Sequence, residues 1–411
     1  MYAEISVALQ RFPVVILTGA RQTGKTTLVT LPPVSSERLY RSLDDYDILE
    51  RARNEPDALL WDAPRLTLDE VQKAPALLSA IKRVVDQKRV AGQFLLTGSA
   101  NLLMMRRISE SLAGRAQYLD LWPMTESEKA GKADEGPWSA LLQAKNARDA
   151  REALMKRHSE PFSEKFQRIL AGGYPLSVLA SGPEERSAWF DGYVRTYLER
   201  DLQDVAAISA LVDFRRLMKL AALRIGQILR QAELARDAAL SHPTAHRYLN
   251  LLEISFQIIR IPAYAVNRTK RLVKSPKLYW TDTGLAAHLS DLEVLENLKA
   301  SPLAGALLEN LLLMQLLPWR ESVIPHPEIY YWRTVTGEEV DFVIEAGRRL
   351  LPIEVKSSTR VELSDAAPLE VFLNEYRENA PFGIIFHGGH EIKILTPRVL
   401  AVPLGVGFGI S

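Results

Sequence analysis

Gly19-Ala20-Arg21-Gln22-Thr23-Gly24-Lys25-Thr26 fits the pattern G-x-x-x-x-G-K-[ST] at every fixed position. The apolar run Val14-Val15-Ile16-Leu17 stands just before it, and Thr27-Leu28-Val29 continues after it. This order predicts a buried strand, a loop that wraps phosphate and the first turn of a helix. Glycines let successive backbone N–H groups turn toward one anion, and the helix start adds partial positive charge. The expected nucleotide contacts are Gly19, Ala20, Arg21, Gln22, Thr23, Gly24, Lys25, Thr26 and Thr27. Lys25 is expected to reach the β- and γ-phosphates of ATP, and Thr26 to offer its hydroxyl to Mg²⁺.

Working outward, strand-like runs at Pro13–Thr18, Leu39–Leu43, Leu66–Leu68, Gln93–Thr97 and Ala116–Leu121 alternate with helical segments such as Pro75–Lys88. Such alternation implies a parallel sheet with helices on both faces, here assigned to residues 1–124. Arg65-Leu66-Thr67-Leu68-Asp69-Glu70 is an apolar strand ending in two acids. In an open α/β sheet ligands bind at the carboxyl ends of strands. Asp69 is expected to hold Mg²⁺, and Glu70 to orient and deprotonate the attacking water. Phe94-Leu95-Leu96-Thr97-Gly98-Ser99 is a further buried strand ending in hydroxyls, with Thr97, Ser99 and Asn101 as candidates to face the γ-phosphate. Arg115 follows in Ser111-Leu112-Ala113-Gly114-Arg115 and could act as an arginine finger or a γ-phosphate sensor, in cis or in trans; a surface pairing with Glu110 or Asp120 is the alternative.

Together with Leu68-Asp69-Glu70-Val71-Gln72-Lys73-Ala74-Pro75, Leu96-Thr97-Gly98-Ser99 and Ser111-Leu112-Ala113-Gly114-Arg115, the phosphate loop resembles that of a large prokaryotic family of AAA-superfamily ATPases. Gly172-Gly173-Tyr174-Pro175 and Tyr193-Val194-Arg195-Thr196-Tyr197-Leu198-Glu199-Arg200-Asp201 resemble the family's second part. The resemblance implies an AAA/RecA-like P-loop fold and ATP binding. It leaves the biological task undefined.

Residues 125–205 read as a polar, helical connector, and residues 206–290 as a winged-helix-like middle. Gln231–Ala235, a turn at Leu240–Thr244 and Ala245–Leu252 fit a helix-turn-helix, with Thr244, His246 and Arg247 near its exposed face. A wing is expected over Phe256–Leu278. Its Arg268, Lys270, Arg271, Lys274 and Lys277 form a basic cluster suited to DNA phosphates.

Residues 291–411 read as a smaller α/β unit. A helix at Ala304–Leu316 precedes strands at Glu328–Trp332, Glu339–Ile344 and Leu351–Lys356, a helix near Pro368–Tyr376 and a strand at Gly383–His387. Asp341 lies on one strand and Glu354-Val355-Lys356 on the next. Side chains two apart on a strand share a face, so Glu354 and Lys356 point together. The pattern looks like a PD-(D/E)XK nuclease core, with Val340 where that pattern has proline. The resemblance implies Asp341 and Glu354 as metal ligands, Lys356 as the group that positions water, and Glu309 as a further acid. A salt-bridged structural cluster of the same residues is the alternative reading.

The chain has 411 residues, 47% hydrophobic and 25% charged, which is ordinary for globular protein. Its net charge of +1 provides no global field toward polyanions, so any DNA contact must be local. The absence of cysteine excludes disulfides and thiolate metal sites and suits a reducing cytoplasm. No secretory leader or membrane span is expected. Two functions fit. One is an ATP-driven enzyme of DNA processing. The other is a nucleotide-controlled protein-binding switch or assembly module. Self-association into an oligomer fits either.

Overall fold

The computed structural model describes residues 1–98, 112–132, 136–156, 164–196 and 211–409. The chain divides into two compact units. The first holds Met1–Trp122, Arg195–Ser209 and Asn250–Gln257; the second holds Pro123–Val194, Ala210–Leu249 and Ile258–Ser411.

The first unit is built on five parallel strands: β1 (Val14–Thr18), β2 (Leu39–Ser42), β3 (Leu66–Asp69), β4 (Phe94–Thr97) and β5 (Ala116–Asp120), in the spatial order β2-β3-β4-β1-β5. Strands β1, β3 and β4 are buried along their whole length, as central strands covered on both faces must be. Alternation sorts their side chains. Val14 and Ile16 join Leu66, Leu68, Phe94 and Leu96 in one core, against Leu77, Leu78 and Ile81 of the helix Pro75–Gln87. Val15, Leu17 and Leu95 join the opposite core, with Ile5 and Ala8 of the helix Tyr2–Arg11. The five strands match the runs expected from sequence to within a residue or so.

Helices Leu211–Ala222, Gln231–Asp237 and His242–Ile254 follow one another, the last belonging to the second unit up to Leu249. Leu234, Ala235 and Tyr248 are buried, and Phe214 meets the edge of Tyr248 at 5.1 Å. The antiparallel pair β6 (Ile258–Ile261) and β7 (Lys277–Trp280) comes next. The connection between them holds the helix Arg268–Val273 rather than only a hairpin turn. A mixed six-stranded sheet then forms from β8 (Glu328–Arg333), β9 (Glu339–Ala346), β10 (Arg349–Lys356), β11 (Gly383–His387), β12 (Lys393–Thr396) and β13 (Val399–Pro403), in the order β12-β13-β11-β10-β9-β8. β8, β9 and β10 run antiparallel, whereas β11 runs parallel to both β10 and β13. The helices Ala304–Ser322 and Ala367–Glu375 belong to the same unit. No described helix is long and apolar enough to cross a membrane.

The Gly172-Gly173-Tyr174-Pro175 motif has a structural role here. Asp282 is buried and accepts from the N–H groups of Gly173 (2.5 Å), Tyr174 (3.2 Å) and Leu285 (2.8 Å). Gly172 has φ +62°, and a Cβ there would run into the Asp282 carboxylate. Burial pushes the Asp282 carboxyl above the usual range, and the three N–H groups oppose that. Asp282→Ala would orphan those donors. It is expected to lower stability by roughly 3–5 kcal/mol in urea unfolding of the full chain. A loss under about 1 kcal/mol would make the contact incidental.

Candidate functional site

The phosphate loop joins the end of β1 to the helix Lys25–Thr30. Gly24 caps that helix with φ +93°, and Gly19 takes φ +142°, where a Cβ would run into the Leu121 carbonyl oxygen. Thr26 and Thr27 are exposed, whereas Lys25 is buried. The Lys25 ammonium donates to the carbonyls of Gly19 (3.1 Å) and Ala20 (2.6 Å). Those carbonyls carry no formal charge. Burial lowers the Lys25 pKa to about 8, although Glu70 and Asp69 act in the opposite direction. The loop thus holds a strained cation that an anion would relieve, which is the electrostatic condition for phosphate binding.

Asp69, at the end of β3, gathers hydroxyls from three other elements. Thr26 Oγ1 and Tyr40 OH each donate to Oδ2 at 2.8 Å, and Thr97 Oγ1 donates to Oδ1. The Glu70 N–H also reaches Oδ1, at 3.1 Å. A hydroxyl and a carboxylate side by side form the hard oxygen set that suits Mg²⁺, so Thr26 and Asp69 are the residues that could hold it. Glu70 takes a left-handed backbone conformation, φ +57°. Its carboxylate accepts from the Gln72 amide. Burial and the neighbouring Asp69 push the Glu70 carboxyl up, toward the range useful in a base. Tyr40 was not among the residues expected from sequence.

β4, the strand ending in hydroxyls, lies between β3 and β1. Its Thr97 bonds Asp69; Ser99 and Asn101 lie outside the described residues. Arg115 requires a correction. It precedes β5, and Val14 pairs with Ala116, so Arg115 sits at the amino ends of the strands. The phosphate loop is at the carboxyl ends, about 16 Å away along five residues of strand. Arg115 instead donates two hydrogen bonds to Asp86, at 2.5 and 3.0 Å. A role in cis is excluded by this register; the partner described is Asp86, and Glu110 lies outside the described residues.

In the second unit, the basic cluster divides. Arg268, Lys270 and Lys274 are exposed. Arg271 is not available to phosphate: it is buried, bonds Glu345 at 2.6 and 3.0 Å and Tyr330 OH at 2.9 Å, and lies over the Tyr264 and Tyr330 rings. Lys277 is also buried and points into the carboxylate cluster. On the helix His242–Ile254, Arg247 is exposed, His246 meets Gln231 at 3.0 Å, and the Thr244 hydroxyl meets Ser241 at 2.8 Å.

The structure does bring Asp341, Glu354, Lys356 and Glu309 into one electrostatic cluster. Lys356 donates to Glu354 at 2.8 Å, and Val355 N–H donates to Asp341 at 2.8 Å. The cation among the acids is unexpected. Lys277 Nζ lies 2.6 Å from Glu339, 3.1 Å from Glu309 and 3.6 Å from Asp341. Among the described residues, no three His, Cys, Asp or Glu side chains are arranged to hold a metal ion. The expectation that Asp341 and Glu354 ligate metal does not fit this arrangement. The sequence signal was a lysine inside the apolar strand Lys277-Leu278-Tyr279-Trp280, where all four residues are buried.

Two outcomes follow for the phosphate loop. In the ligand-free fold Lys25 binds fewer protons than in the unfolded chain between about pH 8 and 10.5, so its contribution to stability rises with pH across that window. Phosphate oxygens would restore the proton. ATP binding at about pH 8.5 is therefore expected to take up a proton, and binding at pH 6.5 not to, as read by calorimetry in buffers of different ionisation enthalpy. Equal enthalpies in both buffers at the higher pH would contradict this. Glu70→Gln should retain ATP binding while turnover falls by roughly 10²–10⁴-fold, measured by phosphate release.

An AAA domain model matches residues 11–129. A domain of unknown function (DUF8612) matches residues 164–296, and another (DUF4143) matches residues 304–405. The uncharacterized protein Rv2008c of Mycobacterium tuberculosis is 31% identical over 404 residues, covering 98% of this chain and 82% of that protein. An uncharacterized Haemophilus influenzae protein is 21% identical over 363 residues, covering 83% of this chain and 81% of that protein. Among solved structures, the Walker-type ATPase PABY2304 of Pyrococcus abyssi aligns with a TM-score of 0.39 at 13% identity, over 70% of this chain and 94% of that one. The Hsp104–ADP complex of S. cerevisiae aligns with a TM-score of 0.27 at 15% identity, over 61% and 37%. By its near full-length match to the mycobacterial protein the chain belongs to that protein's family, and this chain carries an AAA-type P-loop domain followed by domains of unknown function.

Proposed function

We propose that this chain is a Mg²⁺-dependent ATPase whose nucleotide cycle governs DNA binding by its second unit. The observation that carries the ATPase reading is the convergence of Thr26, Tyr40 and Thr97 on Asp69, with Glu70 next to it. Lys25 exchanges the loop carbonyls for phosphate oxygens. Thr26 and Asp69 would hold Mg²⁺, which when bound neutralises phosphate charge. Glu70 aligns a water molecule and accepts its proton as the water attacks. Arg115, placed at the opposite sheet edge, reaches a phosphate only from another copy of the chain. Turnover per subunit then rises with protein concentration.

The DNA reading rests on local charge. Arg247, Arg268, Lys270 and Lys274 are exposed cations in a chain whose net charge is only +1. A specific observation favours a second reading, a protein-binding switch. Leu272 and Val273 are 88% and 80% exposed between Lys270 and Lys274, an apolar step that a protein partner would cover.

ATPase rates measured with and without single-stranded, duplex and branched DNA test the proposal. DNA is expected to stimulate turnover. Replacing Arg268, Lys270 and Lys274 by Ala is expected to weaken binding in gel shifts. The log–log salt dependence should flatten by about one unit for each phosphate that the variant no longer neutralises. Unchanged rates with every DNA form, and no shifted complex, would remove the DNA reading in favour of the protein-binding switch.

A further inference from the structure

We infer that the Lys277 ammonium is the built-in cation of the second unit's carboxylate cluster, occupying the place that a divalent metal would need. The backbone fixes Lys277 there. Trp280 N–H donates to Asn310 Oδ1 at 2.8 Å, and Asn310 Nδ2 returns a bond to Trp280 O at 2.8 Å, tying β7 to the helix that carries Glu309. On the same edge of β7, Leu278 exchanges bonds with Gly226 and Gln227, while the other edge pairs with β6. Lys277 and Tyr279, two apart, share one face of the strand. Both meet Glu309, the tyrosine through its hydroxyl.

An ammonium has three N–H donors, and three carboxylates surround this one: Glu309, Glu339 and Asp341. Each also has a second partner. Tyr279 serves Glu309, Arg333 serves Glu339 at 3.4 Å, and the Val355 N–H serves Asp341. Mg²⁺ or Mn²⁺ would need several of these oxygens at about 2.1 Å, with the ammonium as an immediate like-charged neighbour. Glu354 Oε2 is buried without a partner. It is a single oxygen, fewer than the set such an ion demands. The cluster keeps two strands and a helix in register by a cation that belongs to the chain, so its integrity is independent of metal supply.

Mn²⁺ binding to the full-length chain without nucleotide tests this, read by electron paramagnetic resonance and by melting temperature. All proteins carry Asp69→Asn, so that the phosphate-loop site does not contribute. With Lys277 present, no bound Mn²⁺ sensitive to Asp341→Asn is expected. Lys277→Met is expected to gain about one bound Mn²⁺ per chain, with a metal-dependent rise in melting temperature, and Asp341→Asn is expected to abolish both. Asp341-dependent Mn²⁺ binding by the chain that retains Lys277 would overturn the inference. So would a folded Lys277→Met protein that takes up no Mn²⁺. Should Lys277→Met fail to fold, the comparison between the parent and Asp341→Asn decides alone.

Discussion

Asp69 is the point on which the nucleotide site closes. Four strand-to-loop transitions deliver their ends to one edge of the parallel sheet, and hydroxyls from three of those elements turn toward this one carboxylate. Thr26 comes from the helix after β1, Tyr40 from β2 and Thr97 from β4. Parallel register makes this unavoidable, because all carboxyl ends of the strands lie together. A carboxylate can accept from several donors at once, and a hydroxyl cannot replace it in that role. The result is a carboxylate whose orientation is fixed before any ligand arrives. Such orientation is what gives electrostatic catalysis its advantage over solvent.

The second unit relies on buried ions differently. Arg271 beside Glu345, Lys277 beside its acids, and Asp282 beside three N–H groups are each buried, although Glu345 and Glu339 keep partial access to solvent. A buried ion pair gives little net stability, since desolvation offsets the attraction. Removing one partner is costly, because the other charge is left uncompensated. These hubs therefore select arrangement more than they add stability. Arg271 joins the helix Arg268–Val273 to β9, and Lys277 joins β7 to β9 and to the helix Ala304–Ser322.

What was legible in the sequence follows from range. β1, β3 and β4 declared themselves as continuous apolar runs, and the glycines of the phosphate loop as conformational necessities; both are local signals. Tyr40 was not legible. Its strand reads as ordinary, and only the order β2-β3 brings its hydroxyl to Asp69. Arg115 was misplaced for the same reason, since the register of β5, not its sequence, sets which sheet edge it occupies. The basic run from Arg268 to Lys277 looked uniform. Folding exposes Lys270 and Lys274 while burying Arg271 and Lys277, because a six-residue helix and then a strand turn those two inward. In the C-terminal cluster, alternation placed Glu354 and Lys356 on one face correctly, but no local rule announces a lysine arriving from β7, a strand far before Asp341 in the chain.

The two buried lysines among the described residues show how environment divides one side chain into two electrostatic states. Burial penalises both ammonium groups. At Lys25 the described hydrogen-bond partners of the ammonium are neutral carbonyls, and its pKa falls to about 8. At Lys277 the penalty of burial is outweighed by Glu309, Asp341 and Glu339, and its pKa lies above the ordinary lysine value. The first is a cation with an unfilled demand for negative charge, which the proposed triphosphate would fill. The second is a cation whose demand the chain has met. A lysine of the second kind cannot bind a phosphate without giving up carboxylates already bonded to it, whereas one of the first kind gains by doing so. The distinction between a ligand-binding lysine and a structural one therefore lies in the charge of the atoms already touching it, and not in its depth of burial.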